Sequence, residues 1–404
     1  MATSETASTE RTGASDRAGI PFVVWLLGFT TFALATSEFM VAGMMPSLSE
    51  ALGVSVADIG YLISLYAAGM VIGGPLLTAL LLGLRVPNKT ALLWLLALYV
   101  AGGVLAATAT DYTVMAVARV ITGVAGSACF GVSLSIAAGL VAPHARGKAA
   151  SIVLGGLMLA TVLGVPAATL VDQSFGWRAS FWLVVAFAAV CACLIALIVK
   201  PSAKAEAVSL RGELAEFRKG RLWAAYATSG LIIGATFAAF SYFSPIFTDV
   251  TGFGAASIPL LLGIYGVANI VGNIVVGRYA DRHIFPILIG GLVVLTLALA
   301  AFALMADNPV VAVSAFLAIG LAGVPMNPAM VARVMRSAHA GPLVNTVHTS
   351  VVNVGLAFGA WAGGLSISAG YGLTAPLWIG LVLAIGGLLS LAPAAARQLE
   401  TVKR

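Results

Sequence analysis

Residues 21–46 read PFVVWLLGFTTFALATSEFMVAGMMP, an apolar run broken by one carboxylate, Glu38. The run exceeds the roughly twenty residues that a membrane-spanning helix needs. A carboxyl group is costly to ionise in a low-dielectric surrounding, and inside a span it marks an ion or proton pathway by default. The other reading is a carboxylate hydrogen-bonded to neighbouring helices for packing alone. The remaining carboxylates fall in tails, loops or the ends of apolar segments.

The rest of the chain repeats the apolar pattern. Of its 404 residues 60% are hydrophobic and only 9% charged, against about a quarter charged in soluble domains. That composition excludes an ordinary cytosolic enzyme. Twelve span-length stretches are expected, near 21–46, 57–82, 89–109, 112–141, 149–171, 178–199, 222–248, 257–280, 284–306, 309–332, 343–369 and 372–395. With the N-terminus inside, only Arg119 and Arg178 of 21 Lys and Arg residues fall away from the cytoplasmic side. This bias predicts a multi-pass protein of the cytoplasmic (inner) membrane with both termini cytoplasmic. No basic stripe on a soluble fold points to nucleic acid. The first apolar stretch is too long for a signal-peptide core and reads as a retained helix.

Internal repetition divides the chain. Pro46 is followed by Gly53 and Pro245 by Gly252, each seven residues on. Spans five and eleven carry small residues at every fourth position, Gly156, Ala160, Gly164 and Ala168 against Gly355, Gly359 and Gly363. Such ridges let helix backbones approach closely and suit sliding or rocking contacts. The expectation is an all-α membrane protein of twelve transmembrane helices in two pseudo-symmetric six-helix bundles, as in transporters that rock two halves about a central site. Its parts are a disordered cytoplasmic tail (1–18), an N-terminal bundle (19–199), an amphipathic cytoplasmic linker (200–220), a C-terminal bundle (221–396) and a short cytoplasmic tail (397–404).

Several residues carry candidate chemistry. Arg119, in ARVITGVAG, is the one arginine deep in a span, and a buried guanidinium needs a partner. Glu38, Asp111 and helix carbonyls are the candidates, so Arg119 either tunes or relays the proton of Glu38 or holds span four against span one. Gly164 and Pro166 would loosen span five, either as an outer gate or as a helix end with Trp177 and Arg178 at the membrane interface. GRYADRH (Gly277 to His283) sets Asp281 between Arg278 and Arg282 at the end of span eight, as a gating contact or a surface ion pair. Phe237, Phe240, Ser244 and Phe247 share a helical face of span seven that either lines a cavity or packs. Asn345, His348, Thr349 and Asn353 enter span eleven, and Asn269 and Asn273 enter span eight. His348 is a titratable group or a hydrogen-bonded packing group.

Energy-coupling motifs are missing. GLRVPNKT (Gly83 to Thr90) has Asn88 where a phosphate loop needs its second glycine. Cys129, Cys191 and Cys193 show no metal spacing, and no cofactor or metal is expected. A proton gradient is the expected energy source, with Glu38 its carrier.

The sequence resembles the twelve-span drug:proton antiporters of the major facilitator superfamily over nearly its whole length. TSEFMVAGMMPSLSEALGVS, YLISLYAAGMVIGGPLL, ARVITGVAG, LATVLGVPAATLVDQSFGWRASFW, GRYADR and NVGLAFGAWAGG each look like that family's signature at its usual rank. The resemblance implies alternating access about a central cavity. It maps the span-four arginine onto Arg119, the antiporter motif onto Gly164 and Pro166, and a loop aspartate onto Asp281, with Gly277, Arg278 and Arg282 in the same gating loop. The first-half copy departs from it, with Leu82 where the aspartate is expected. SYFSPIFTDVTGF, MNPAMVARVMR, GPLVNTVHTSV and SAGYGLTAPLW look closest to actinobacterial-type chloramphenicol exporters. The expected function is proton-coupled efflux of a small drug-like molecule, chloramphenicol first, by a monomer in the lipid bilayer. Phe237, Phe240, Ser244, Asn345, His348 and Asn353 are the expected substrate contacts. An exporter of sugars or nucleosides is the alternative, and a non-transporting membrane receptor or scaffold a remoter one.

Overall fold

The computed structural model describes residues 20–84, 86–142, 145–199, 215–280, 282–337 and 342–402. The tail 1–18, most of the linker (200–214), Arg85 and Asp281 lie outside the described residues, and so does the side chain of Leu82. Among the described residues, twelve helices are long and apolar enough to cross a bilayer. In order they are Phe22–Gly43, Val56–Gly83, Asn88–Ala107, Tyr112–Gly139, Arg146–Phe175, Trp177–Ile198, Gly220–Phe240, Ile258–Tyr279, Ile284–Leu304, Pro309–Ser337, Pro342–Ser366 and Ala375–Val402, called spans one to twelve. An even number of crossings puts both chain ends on one side, the tail side. The opposite side is the far side.

Several helices differ from the sequence expectation. Span one stops at Gly43, and a separate helix, Met45–Leu52, starts with Pro46 in its first turn, where a missing N–H costs nothing. Span ten breaks at Gly323 into a short turn, Val324–Met326, before the helix resumes at Asn327. Span twelve continues to Val402 instead of stopping near 395.

The two halves repeat in detail. Gly176 and Gly372 close equivalent far-side loops, each with φ of 83°, a backbone that side chains other than glycine rarely adopt. Within the first half a methyl group on Gly156 would overlap the Gly28 carbonyl, and within the second half one on Gly355 would overlap the Gly230 carbonyl. The glycine ridges of spans five and eleven thus lock onto spans one and seven inside each half. They are contacts within each bundle and not between the bundles.

Contacts between the halves can be named on the far side. Span two packs along span eleven, and span five against span eight. Tyr61 Oη lies 3.4 Å from Ser368 Oγ, and Gln173 Nε2 donates to the Ala255 carbonyl at 2.6 Å. Tyr242, fully buried, donates its hydroxyl to the Ala360 carbonyl at 2.7 Å. A methyl on Gly60 of span two or on Gly364 of span eleven would collide with that hydroxyl. The phenol therefore fills a notch that exists only because both residues lack a side chain.

Candidate functional site

Between the halves lies a cavity of about 370 Å³. Its lining residues run toward the tail side, to Leu134 and Leu154 in the first half and Val331 and His348 in the second. Aromatic rings form the far-side end. Phe39 stacks on Phe237 at 5.7 Å and meets Phe240 edge-on at 6.4 Å, and Phe240 reaches Tyr265 at 5.1 Å. Spans one, two, four and five supply one wall, and spans seven, eight, ten and eleven the other.

Glu38 lines this cavity with only 7% of its surface exposed. Among the described residues nothing donates a hydrogen bond to its carboxylate. Arg119, fully buried, turns away from that group and onto the backbone of span one. Its Nη1 donates to the Ser37 carbonyl at 2.8 Å and its Nη2 to the Glu38 carbonyl at 3.1 Å. The guanidinium carbon also sits 4.2 Å from the centre of the Tyr66 ring, within cation–π range. Of the three partners expected for Arg119, helix carbonyls are the ones in place. Asp111 is occupied as the N-cap of span four, accepting from the Val114 N–H at 3.0 Å, which holds its carboxyl below the usual range.

Gly164 and Pro166 sit at a widened turn of span five. Pro166 has no N–H for the Val162 carbonyl, and over Ala160–Gly164 the helix relaxes to i→i+5 bonding, with Val165 N–H reaching the Ala160 carbonyl. The turn faces both halves: Gly164 packs on the Thr36 side chain of span one, while Thr161 and Pro166 meet Gly266 and Gly263 of span eight. Trp177, the first residue of span six, is buried in the protein, with the Arg178 guanidinium 4.2 Å above its ring. Arg178 donates to the Ala109 carbonyl at 2.9 Å, so the pair pins span six to the end of span three.

Of the expected substrate contacts, Phe237, Phe240, His348 and Asn353 line the cavity, and Ser244 and Asn345 do not. Span seven ends at Phe240 and turns at Ser241 and Tyr242. The phase set by Phe237 and Phe240 is lost there. Ser244 is buried, and Phe247 joins Phe302 and Phe316 in an aromatic cluster within the second half. Asn345 is exposed, two turns before Asn353 and beyond the cavity's reach. His348 is hydrogen-bonded, with Nε2 2.9 Å from Ser229 Oγ and the ring stacked 5.9 Å from Tyr226. Gly277, Arg278 and Arg282 are exposed at the tail-side end of span eight, and Asp281 between them lies outside the described residues.

The structure adds Phe39, Tyr66, Tyr265 and Asn327 to the lining. Asn327 carries the signal that singled out Glu38, a polar side chain within an apolar run, here flanked by Pro325 and Pro328.

The sequence pattern of the Major Facilitator Superfamily matches residues 27–360. A chloramphenicol resistance protein of Streptomyces lividans is 33% identical over 92% of this chain and 96% of its own length. The inner membrane transport protein YdhP of Escherichia coli K12 is 32% identical over 95% and 98%. Among solved structures, a bacterial homologue of the human lysosomal transporter Spinster, in an inward-facing and occupied conformation, superposes with a TM-score of 0.68. It is 15% identical and covers 93% of this chain and 95% of its own, a likeness of fold. The chain belongs to the major facilitator superfamily. It is a multi-pass membrane protein, a transporter and not an enzyme.

Proposed function

We propose that this transporter is a proton-coupled exporter of a small drug-like molecule, with chloramphenicol the first candidate, working by alternating access in the cytoplasmic membrane with both termini inside. The observation that carries the reading is Glu38, which lines the central cavity while Arg119 beside it bonds to backbone carbonyls of spans one and two and not to the carboxylate. A carboxyl so placed exchanges its proton with whichever side the cavity faces. Facing out, Glu38 takes a proton and the cavity releases substrate; facing in, it gives the proton up and the cavity recaptures substrate. The likeness to the Streptomyces lividans resistance protein supports the substrate, and the resemblance to drug:proton antiporters supplies the direction of exchange. Gly164 and Pro166 on the far side, and the loop holding Gly277, Arg278, Asp281 and Arg282 on the tail side, are the gates in this reading. Export of sugars or nucleosides is a second reading, favoured by the amides in the cavity wall.

The test is chloramphenicol uptake into inside-out vesicles, with and without a pH gradient, for the wild type and Glu38→Gln. Gradient-dependent uptake that disappears in the mutant is the expected result. Full gradient-driven uptake by a well-expressed mutant would remove Glu38 from the proton path, and no uptake by the wild type would move the search to other substrates.

A further inference from the structure

The second-half wall of the cavity carries three asparagines, Asn269, Asn327 and Asn353, from spans eight, ten and eleven. Asn353 is 6% exposed and Asn269 3%. Asn269 spends one donor on the Tyr265 carbonyl of its own helix, at 3.3 Å. Among the described residues the side-chain amides of Asn327 and Asn353 have no hydrogen-bond partner. The buried side-chain atoms closed off without a partner are instead the hydroxyls of Ser133 and Ser241, so both amides open onto the cavity.

Asn327 owes its position to the break in span ten. Gly323 ends the first segment, Val324–Met326 forms the turn, and Val324 and Asn327 both line the cavity. Irregular backbone at membrane depth is tolerated where it lines a cavity, and interrupted helices recur at transporter binding sites.

An asparagine offers donors and an acceptor without charge. A nearly buried amide lacking a protein partner matches a ligand hydroxyl or amide, and it brings no charge to offset the desolvation of a charged ligand. No lysine or arginine lines the cavity among the described residues, and the Arg119 donors go to backbone carbonyls. A carboxylate or phosphate would therefore meet Glu38 without a compensating cation. The aromatic end formed by Phe39, Phe237 and Phe240 accepts a flat apolar group.

Resting on the transporter reading above, we infer that Asn327 and Asn353, aided by Asn269, form the specificity-determining element of the cavity. The element selects uncharged ligands that combine an aromatic or flat apolar part with hydroxyl or amide groups. Polar recognition then belongs to the second half and the proton to the first.

The test is equilibrium dialysis of labelled chloramphenicol against the purified full chain in detergent, for the wild type, Asn327→Leu, Asn353→Leu, the isosteric Asn353→Asp and, as control, Asn345→Leu. Each leucine variant in the cavity should weaken binding about ten-fold. Asn353→Asp should also lose the neutral ligand, which covers the case of a misfolded leucine variant, and Asn345→Leu should bind as the wild type does. Wild-type affinity in Asn327→Leu and Asn353→Leu would overturn the inference. If the wild type itself does not retain chloramphenicol, that substrate falls, and the dialysis is repeated with neutral uridine, anionic 4-nitrobenzoate and cationic tetraphenylphosphonium. Retention of uridine alone, lost in Asn353→Leu, supports the amide element; retention of a charged probe, or of none, overturns it.

Discussion

The Arg119 guanidinium reaches Glu38 through the main chain: Nη2 lies 3.1 Å from the Glu38 carbonyl oxygen, while the carboxylate of the same residue faces the cavity. Span four thus grips span one beside the acid without a direct bond to its carboxylate. An arginine paired directly to the carboxylate would favour its ionised form. One bound to the backbone fixes where the group sits and acts on the carboxylate as a charge held nearby.

Removing that grip should destabilise the fold more than it alters the acid. Arg119→Ala vacates a fully buried site, and the expected loss of stability is about 3 kcal/mol or more. The guanidinium charge also acts on the neighbouring carboxylate, so the effects of Arg119→Ala and Glu38→Gln should depart from additivity by more than about 0.5 kcal/mol. Unfolding of the two single variants and the double variant measures this. Additive effects would mean that the guanidinium does not act on the carboxylate.

Gly164→Ala should slow turnover and lower stability, because the new methyl falls on the Thr36 side chain of span one. The obstruction is a side chain and not backbone, so Thr36→Ala in the same molecule should restore part of both. Transport rate per folded protein and the thermal midpoint are the readouts. A Gly164→Ala protein with wild-type turnover would remove this position from the gate.

Gly60→Val should push the far side open, since any side chain there displaces the Tyr242 hydroxyl. Spin labels at Val54, in the far-side loop before span two, and Tyr371, at the far-side end of the helix that carries span eleven, should report a longer distance in the variant. An unchanged distance would mean that the phenol relocates within its own half.

Asp281→Asn should reduce turnover with little change in substrate affinity if the loop after span eight acts as a gate. A steady-state comparison of maximal rate and half-saturation checks it, and an unchanged rate reduces Asp281 to a surface charge.

Much of this was legible in the chain. A carboxylate in an uninterrupted apolar run cannot be a solvated surface group, so Glu38 declared itself, and the fourfold small-residue spacing announced close helix packing. What the spacing could not name was the partner. Gly156 and Gly355 read as contacts between moving halves, yet they meet Gly28 and Gly230 inside their own bundles. Ser244 failed as a cavity residue because helical phase carries only as far as the helix, and span seven stops at Phe240. Tyr242, Gly60 and Gly364 are unremarkable singly; their meaning is a three-way fit between residues far apart in sequence. Asn327 was readable by the rule that found Glu38, but span ten was expected to run unbroken over 309–332, and the turn at Val324–Met326 was not foreseen.

The widened turn at Ala160–Gly164 also sets a rotational register. An extra residue in a helical turn offsets everything after it by about 100° relative to an unbroken α-helix. Asp172, whose carboxylate accepts from Ser47 Oγ at 2.8 Å, and Gln173, which reaches across to the Ala255 carbonyl, both lie beyond that offset. Deleting one residue from the turn would leave the length and hydropathy of span five almost unchanged while aiming these two side chains at different neighbours. The far-side seal is in this sense a matter of counting: its polar clasp closes because span five is one residue out of step with an ideal helix.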